Sequence, residues 1–271
     1  MPPSTISEIN RLPFEEKRQY FIRAIPPQVF EMFNLSPDLI DEQGRSLIEI
    51  KGRPGSVTAE MRLYHEAGFP DPIWYGQITD TMNGQLHVLL YVLNDPNSPR
   101  FNVDRMPDGT PTQFGILCRN LEAEEAAMRA GLAPGQIRHG LRLLRSAVKT
   151  FDDFVASLGH ELYFAEPLYY HNAILFERYG FNYQQGRKLM ERINAGFAPA
   201  GSNPVGFAPG GDLLSKLDGS TPFRQPDAAN SIRLRSWAIH DGILDQPFTN
   251  VTMYKRIEKH AGISTCDGCS W

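Results

Sequence analysis

Phe176-Glu177-Arg178-Tyr179-Gly180-Phe181 closes a helix-strand-helix block that opens near Gly135. Upstream of it, Ile137, Leu141, Leu144, Val148, Phe151 and Val155 recur at three- and four-residue steps. That spacing puts them on one stripe of a helix over residues 135–158. Gly159 is suited to end it, since a left-handed cap favours a residue without Cβ. Residues 161–166 read as an apolar strand, and residues 170–179 as a second helix running into the Tyr-Gly-Phe ending.

Toward the N-terminus, Ile6, Ile9, Leu12, Phe21, Ile25, Val29, Phe30 and Phe33 follow helical spacing, cut by Pro13, Pro26-Pro27 and Pro37 into short helices. The texture then changes. Leu47, Ile48 and Ile50, then Val57, Ala59, Met61 and Leu63, show the short runs and alternation of strands. Residues 73–78 and 86–93 flank Asn83-Gly84, a strong hairpin signal, so an antiparallel meander is expected. Pro96, Pro99, Pro107 and Pro111 make the next stretch irregular, with one more short strand over 113–118. Helices are expected over 121–130 and 184–194, a Gly/Pro/Ser-rich loop over 196–211, and strands over 232–239 and 250–257. The segments are then an N-terminal helical layer (1–45), a core (46–195) and a C-terminal loop-and-strand extension (196–271). The fold class is α/β, or α+β, with a mixed, mostly antiparallel twisted sheet.

Of the 271 residues, 41% are hydrophobic and 21% charged, enough to bury a substantial core. A net charge of -4 supplies no long-range attraction for nucleic acid or an anionic membrane. No apolar run has the length of a membrane span, and Met-Pro-Pro-Ser-Thr lacks the order of a secretory signal. Three cysteines, an odd number, argue against a disulfide framework and for a reducing compartment. A cytoplasmic enzyme or binding protein acting on a small molecule is the expectation, with a homodimer left open.

The element order over residues 46–182 resembles the acyl-CoA-binding half of GNAT-type N-acyltransferases. Phe176-Glu177-Arg178-Tyr179-Gly180-Phe181 is similar to that family's Tyr-Glu-Lys-Leu-Gly-Phe ending. The resemblance implies that the meander's fourth strand, residues 87–93, splays from the fifth, residues 161–166. Pantetheine would lie in the gap, bonded to backbone groups of Leu90, Val92 and Leu93. It also implies that the start of the following helix faces the pyrophosphate, an anion site made by unpaired N–H groups and the helix dipole. Anchored on Leu143-Leu144, the family's Gln/Arg-x-x-Gly-x-Gly/Ala loop falls on Gly135, Gln136, Ile137, Arg138, His139 and Gly140. Only the last glycine agrees, and Arg138 replaces the middle one. Arg138 or His139 would then contact phosphate in a different cradle. Acetyl-CoA or another acyl-CoA is the implied co-substrate, and transfer of its acyl group to an amine the implied activity.

Phe176 stands where many members place the tyrosine that protonates the departing thiolate. Tyr170, in the Tyr169-Tyr170-His171 cluster, is its substitute here. Glu166, at the end of the strand, is the candidate general base if burial raises its pKa. Asn172 lies near the helix start, as a cap or a pantetheine contact.

Two rival readings remain open. A GNAT-like protein without acyl transfer would bind another small ligand. A structural or metal-binding module would use Cys266-Asp267-Gly268-Cys269 with His260 and, as a fourth ligand, His240; free thiols at a frayed end are the alternative for this pair. His240-Asp241-Gly242 reads as a turn, and Arg233 and Arg235 as two residues on one face of a strand.

Overall fold

The Thr5 hydroxyl accepts the Glu8 N–H at 3.2 Å, and Asp80 accepts the N–H groups of Ile6 and Ser7 at 2.7 and 2.9 Å. These bonds satisfy the orphan donors of the first helix, α1 (Ile6–Ile9), and hold it on the sheet. The computed structural model describes residues 2–113, 115, 118–199 and 211–271. As the prolines predict, the N-terminal region is broken into short helices, with α2 (Phe14–Phe21) following Pro13 and α3 (Pro27–Met32) opening on proline.

The meander forms as expected. Strands β1 (Ile48–Lys51), β2 (Thr58–Leu63), β3 (Trp74–Asp80) and β4 (Leu86–Leu93) pair antiparallel in sequence. Gly84 takes a φ of 75° in the β3–β4 turn, the conformation for which Asn-Gly is selected. The β3–β4 register runs Ile78 to Val88 and then Gln77 to Leu90, which leaves Leu89 as an extra, bulged residue.

Helix α4 (Leu121–Arg129) is capped by the Asn120 side chain. The next helix starts later than its apolar stripe suggests: α5 is Leu144–Ser157, not 135–158. Gly135 and Arg142 have φ of 78° and 59°, left-handed values that no helix contains. Pro134-Gly135 is therefore a turn, and from a loop Ile137 is half-buried and Leu141 buried. The rest of the block follows the reading, with Gly159 at φ 85°, β5 (Leu162–Ala165) and α6 (Tyr170–Arg178). A short strand, β6 (Asn182–Gln185), precedes α7 (Arg187–Phe197), whose start falls three residues after the expected one because Gly186 turns the chain at φ 96°.

Residues 232–239 are a helix, α8 (Ile232–His240), where alternation suggested a strand. Ser231 caps it, its hydroxyl accepting the Leu234 N–H at 3.2 Å. Ile232, Arg235, Ser236 and Ile239 share a buried face at helical spacing, so Arg233 and Arg235 do not. The final strand is β7 (Thr252–Arg256). Of the strand expected over 113–118, Gln113, Gly115 and Cys118 are in turn or irregular backbone and the other three residues lie outside the described ones, as do residues 200–210 of the loop expected over 196–211.

The seven strands form one open sheet in the order β1-β2-β3-β4-β5-β7-β6, with β4 and β5 parallel. With eight α-helices among the described residues, the fold is mixed α/β. No helix among them is long and apolar enough to cross a membrane.

The chain divides into two compact units. The first comprises residues 1–98, 140–166 and 254–260. Its core includes Met61, Leu63, Trp74, Phe154 and Tyr163, and Phe151 of α5 lies 4.9 Å from the Tyr163 ring. The second comprises residues 99–139, 167–253 and 261–271, with a core of Val103, Ala127, Leu132, Phe223 and Trp237.

Candidate functional site

In the first unit, β4 and β5 share only two register pairs, His87 with Phe164 and Val88 with Ala165. One more bond, from the Glu166 N–H to the Val88 carbonyl at 3.4 Å, ends the ladder. Strand β4 then continues for five residues, 89–93, with no bond to β5. Every residue from His87 to Leu93 is half-buried, although the strand lies in the middle of the sheet.

The bulge decides which backbone groups face the open side. Val88 points its carbonyl at β5, and the Asn94 N–H donates to Ile73 at 3.0 Å on the β3 side. Alternation between these points directs the backbone of Leu90 and Val92 to β3, and that of Tyr91 and Leu93 away from it. Of the three residues expected to offer backbone groups, Leu93 does so. Tyr91 takes the place of Leu90 and Val92. A one-residue insertion invisible in the apolar run causes the shift.

The loop before α5 returns to the end of β4. A Cβ on Gly140 would sit 3.3 Å from the Leu93 carbonyl oxygen, so glycine permits that approach. Leu143 caps α5 without a side-chain bond, leaving its first-turn N–H groups without a capping side chain. Arg142 and Arg145 are exposed beside this helix start.

His87 is the residue that sequence reasoning passed over. Its Nε2 is buried and has no hydrogen-bond partner, while its ring meets Phe164 edge-on at 6.2 Å. Because Tyr163 faces α5, Phe164 and its partner His87 lie on the opposite face of the sheet. Burial lowers the His87 pKa below its usual 6.5, and the Glu166 carboxylate acts the other way. Glu166 itself is exposed, so the burial expected for it is absent. A lone histidine in an apolar strand reads as core; only the missing partner distinguishes it.

The remaining expected residues lie in the second unit. Gly135 packs under Tyr169, where a Cβ would meet the ring at 2.5 Å. Gln136 closes the turn by accepting the Ala133 N–H at 2.7 Å through its side chain. Arg138 is buried and His139 exposed. None of the four is at the start of α5. Tyr170 is 1% exposed, with its hydroxyl accepting from Arg235 at 3.5 Å, which encloses the proton it was expected to deliver. Asn172 accepts the Tyr169 N–H at 3.2 Å, capping α6 as expected. Phe176 stacks on Phe181 at 4.8 Å.

No family model, curated protein or solved structure matches this chain.

The second unit also holds two polar clusters. Arg119 bonds Glu124 and, at 3.1 Å, Asp241, which also accepts from Arg224 at 2.9 Å. Burial opposes ionisation of Glu124, but bonds from His240 and Arg119 outweigh it and hold its pKa below the usual 4.5. His240 is thereby engaged with Glu124 at 3.7 Å, and Gly115 leaves room for its ring. Nearby, His171 is fully enclosed and its Nδ1 lies 2.9 Å from the Ser236 hydroxyl. His240-Asp241 thus belongs to a charge network at the end of α8.

Cys266 and Cys269 form a disulfide, which overturns their reading as free thiols on a frayed end. Cys266 is buried, and the residue before it is held by Glu177, which accepts the Thr265 N–H at 2.8 Å and its hydroxyl at 2.7 Å. An odd cysteine count hides a pair whenever one residue, here Cys118, stays apart. With both sulfurs joined, no thiolate is available to a metal. Among the described residues no group of three or more His, Cys, Asp or Glu is placed to hold one.

Proposed function

We propose that the first unit binds an acyl-CoA and transfers its acyl group to an amine of a small acceptor. The parting of β4 from β5 beyond Val88 and Ala165 carries this reading. It exposes a strand edge whose N–H and C=O groups need partners, and an extended amide-bearing arm such as pantetheine supplies them. The antiparallel meander, the parallel β4–β5 pair and the helix between them support the resemblance to GNAT-type enzymes.

In this reading the thioester carbonyl accepts a bond from the backbone N–H of Tyr91. That donor is fixed before the reaction, so it stabilises the oxyanion without reorganisation. The start of α5, with Arg142 and Arg145, receives the diphosphate. His87 takes the proton of the amine through its unpaired Nε2, and its lowered pKa keeps it neutral and able to accept. The amine nitrogen bonds to the carbonyl carbon, the carbon–sulfur bond breaks, and the electron pair leaves with the CoA thiolate. Glu166 stabilises the histidinium by charge.

Calorimetry with acetyl-CoA and longer acyl-CoAs tests the binding, with saturable heat expected. No binding at millimolar ligand would sink the proposal. A second reading, ligand binding without acyl transfer, is favoured by Phe176, which carries no hydroxyl, and by the enclosed hydroxyl of Tyr170. CoA binding with no turnover across a panel of amines would select it.

A further inference from the structure

The C-terminal disulfide has a feature that its role as a staple does not require. Arg235 of α8 is 5% exposed, and its guanidinium points at Cys266, with Nη1 at 3.2 Å from Sγ. Its other partners are neutral: the Ala229 carbonyl at 2.9 Å, the Asn194 side-chain oxygen at 2.9 Å and the Tyr170 hydroxyl at 3.5 Å. It stacks over the Phe197 ring at 4.7 Å. Among the described residues no carboxylate pairs with it at ion-pair distance. A buried cation without a counter-ion is costly, because low-polarity surroundings weaken its solvation. Two neighbours in contact with it can become anions, and burial raises the pKa of the Tyr170 hydroxyl and keeps it protonated, which leaves the Cys266 sulfur.

We propose that Cys266 and Cys269 form a reversible thiol–disulfide site, with Cys266 the thiolate that Arg235 holds and Cys269 the sulfur that an attacking thiol reaches. The inference is independent of the acyl-transfer reading. The two sulfurs differ as the roles demand: Cys266 is buried, and Cys269 is half-buried between exposed residues Gly268 and Ser270. A thiolate of an external dithiol attacks Cys269 Sγ, the Cys266–Cys269 bond breaks, and the electron pair leaves on Cys266 beside the guanidinium. The second thiol of the reductant then attacks its own mixed disulfide and releases Cys269, which takes up a proton. Two electrons pass to the protein, and the reductant leaves as its cyclic disulfide.

The surroundings keep Cys266 in place once the bond opens. Glu177 of α6 holds Thr265, and its oxygens are occupied by Thr265 and the Tyr183 hydroxyl. Arg178 donates to the Cys269 carbonyl at 3.0 Å, and Ser270 bonds Asn230 and Ile232 at 3.0 and 2.8 Å. The charged groups around the pair are therefore Arg235 in contact with Cys266, Arg178 at the Cys269 backbone, Glu177 one residue away, and exposed Asp267 in the turn. Arg235 alone touches a sulfur, and it favours the thiolate.

The test uses the full chain carrying Cys118→Ser, so that only this pair titrates or reacts. Glutathione buffers of graded ratio, acid quenching, alkylation and intact mass give the oxidised fraction. A single reversible two-electron transition is expected. A pair that stays reduced in fully oxidised glutathione, or stays bonded in excess dithiothreitol under native conditions, would overturn the proposal. Thiolate absorbance against pH is then measured in Cys269→Ser and in Cys266→Ser. The former, retaining Cys266, is expected to titrate at least about one pH unit below the ordinary value of about 8.5, and the latter near it. Equal midpoints in the two variants would overturn the assignment. Adding Arg235→Gln is expected to raise the Cys266 midpoint; should that variant fail to fold, the comparison of single cysteines decides alone.

Discussion

The Glu166 N–H donates to the Val88 carbonyl at 3.4 Å, and beyond that bond β4 and β5 run apart. Both flanks of this junction carry groups that a static core would not leave open. One is the unpartnered Nε2 of His87, and the other is the edge of β4 from Leu89 to Leu93. The acyl-transfer reading turns on this junction, and its consequences are separable.

His87→Ala is expected to lower acyl transfer by about 10²-fold or more while leaving acyl-CoA affinity within a factor of two or so. In the wild type, burial makes neutral His87 the favoured form, so turnover rises with pH through a midpoint below 6.5 and is flat above it. Rates measured with saturating acyl-CoA from mild acid to neutrality check this. A profile unchanged by the substitution would remove His87 from the reaction.

Replacing Arg142 and Arg145 together by glutamate is expected to weaken acyl-CoA binding about tenfold or more and to flatten its dependence on salt. Both residues are exposed, so thermal stability should scarcely move. Calorimetry at two ionic strengths, beside a melting curve, reads both effects.

Gly135→Ala acts in the second unit and on stability alone. The new Cβ would lie 2.5 Å from the Tyr169 ring, at a backbone φ of 78°. Overpacking and the left-handed conformation together are expected to cost roughly 2–4 kcal/mol. Urea unfolding followed by fluorescence and circular dichroism measures it.

His171 sets an acid limit. Burial, reinforced by the neighbouring His240, lowers its pKa from 6.5 to about 3. The unfolded chain takes up a proton near pH 6.5 while the folded chain does so only near 3, so stability falls as pH drops across that window. The loss is on the order of 4 kcal/mol by the lower end. His171→Gln should flatten the stability profile there, measured by denaturant midpoints at several pH values.

The core of the second unit gives a further check. Trp237 stacks on Phe223 at 5.2 Å and donates its indole N–H to Leu132 at 2.9 Å. Trp237→Ala is expected to destabilise that unit by about 3–5 kcal/mol.

Legibility in the sequence followed the range of the interactions involved. The meander, α4, β5 and α6 were readable because each element is written in a few adjacent residues: an Asn-Gly turn, an apolar run, a glycine stop. Strand β6 was missed because four residues with two glutamines carry no apolar signal. Helix α8 imitates a strand in sequence because Ile232, Leu234 and Ala238 follow an alternating pattern, and its helical signal is confined to the Ser231 cap. The start of α5 lies later than the stripe implies because Ile137 and Leu141 continue it from a loop that turns these two side chains inward.

The candidate site was less legible. Residues 87–93 were recognisable as the decisive strand, but the bulge at Leu89, which chooses between its two backbone edges, depends on pairing with β3. His87 drew no notice, since an unpaired nitrogen is a property of its surroundings. For the same reason Tyr170 looked available until Arg235 and the packed core enclosed it.

Local chemistry in the chain was thus sufficient for the α/β class, the order of most elements and the N-terminal helices broken at prolines, because propensity and periodicity act over neighbouring residues. The bulge at Leu89, the pairing of Cys266 with Cys269 and the approach of Arg235 to sulfur came from the tertiary structure alone. Each joins groups far apart in sequence or selects one of several local options, and burial and register decide such choices only once the chain has folded.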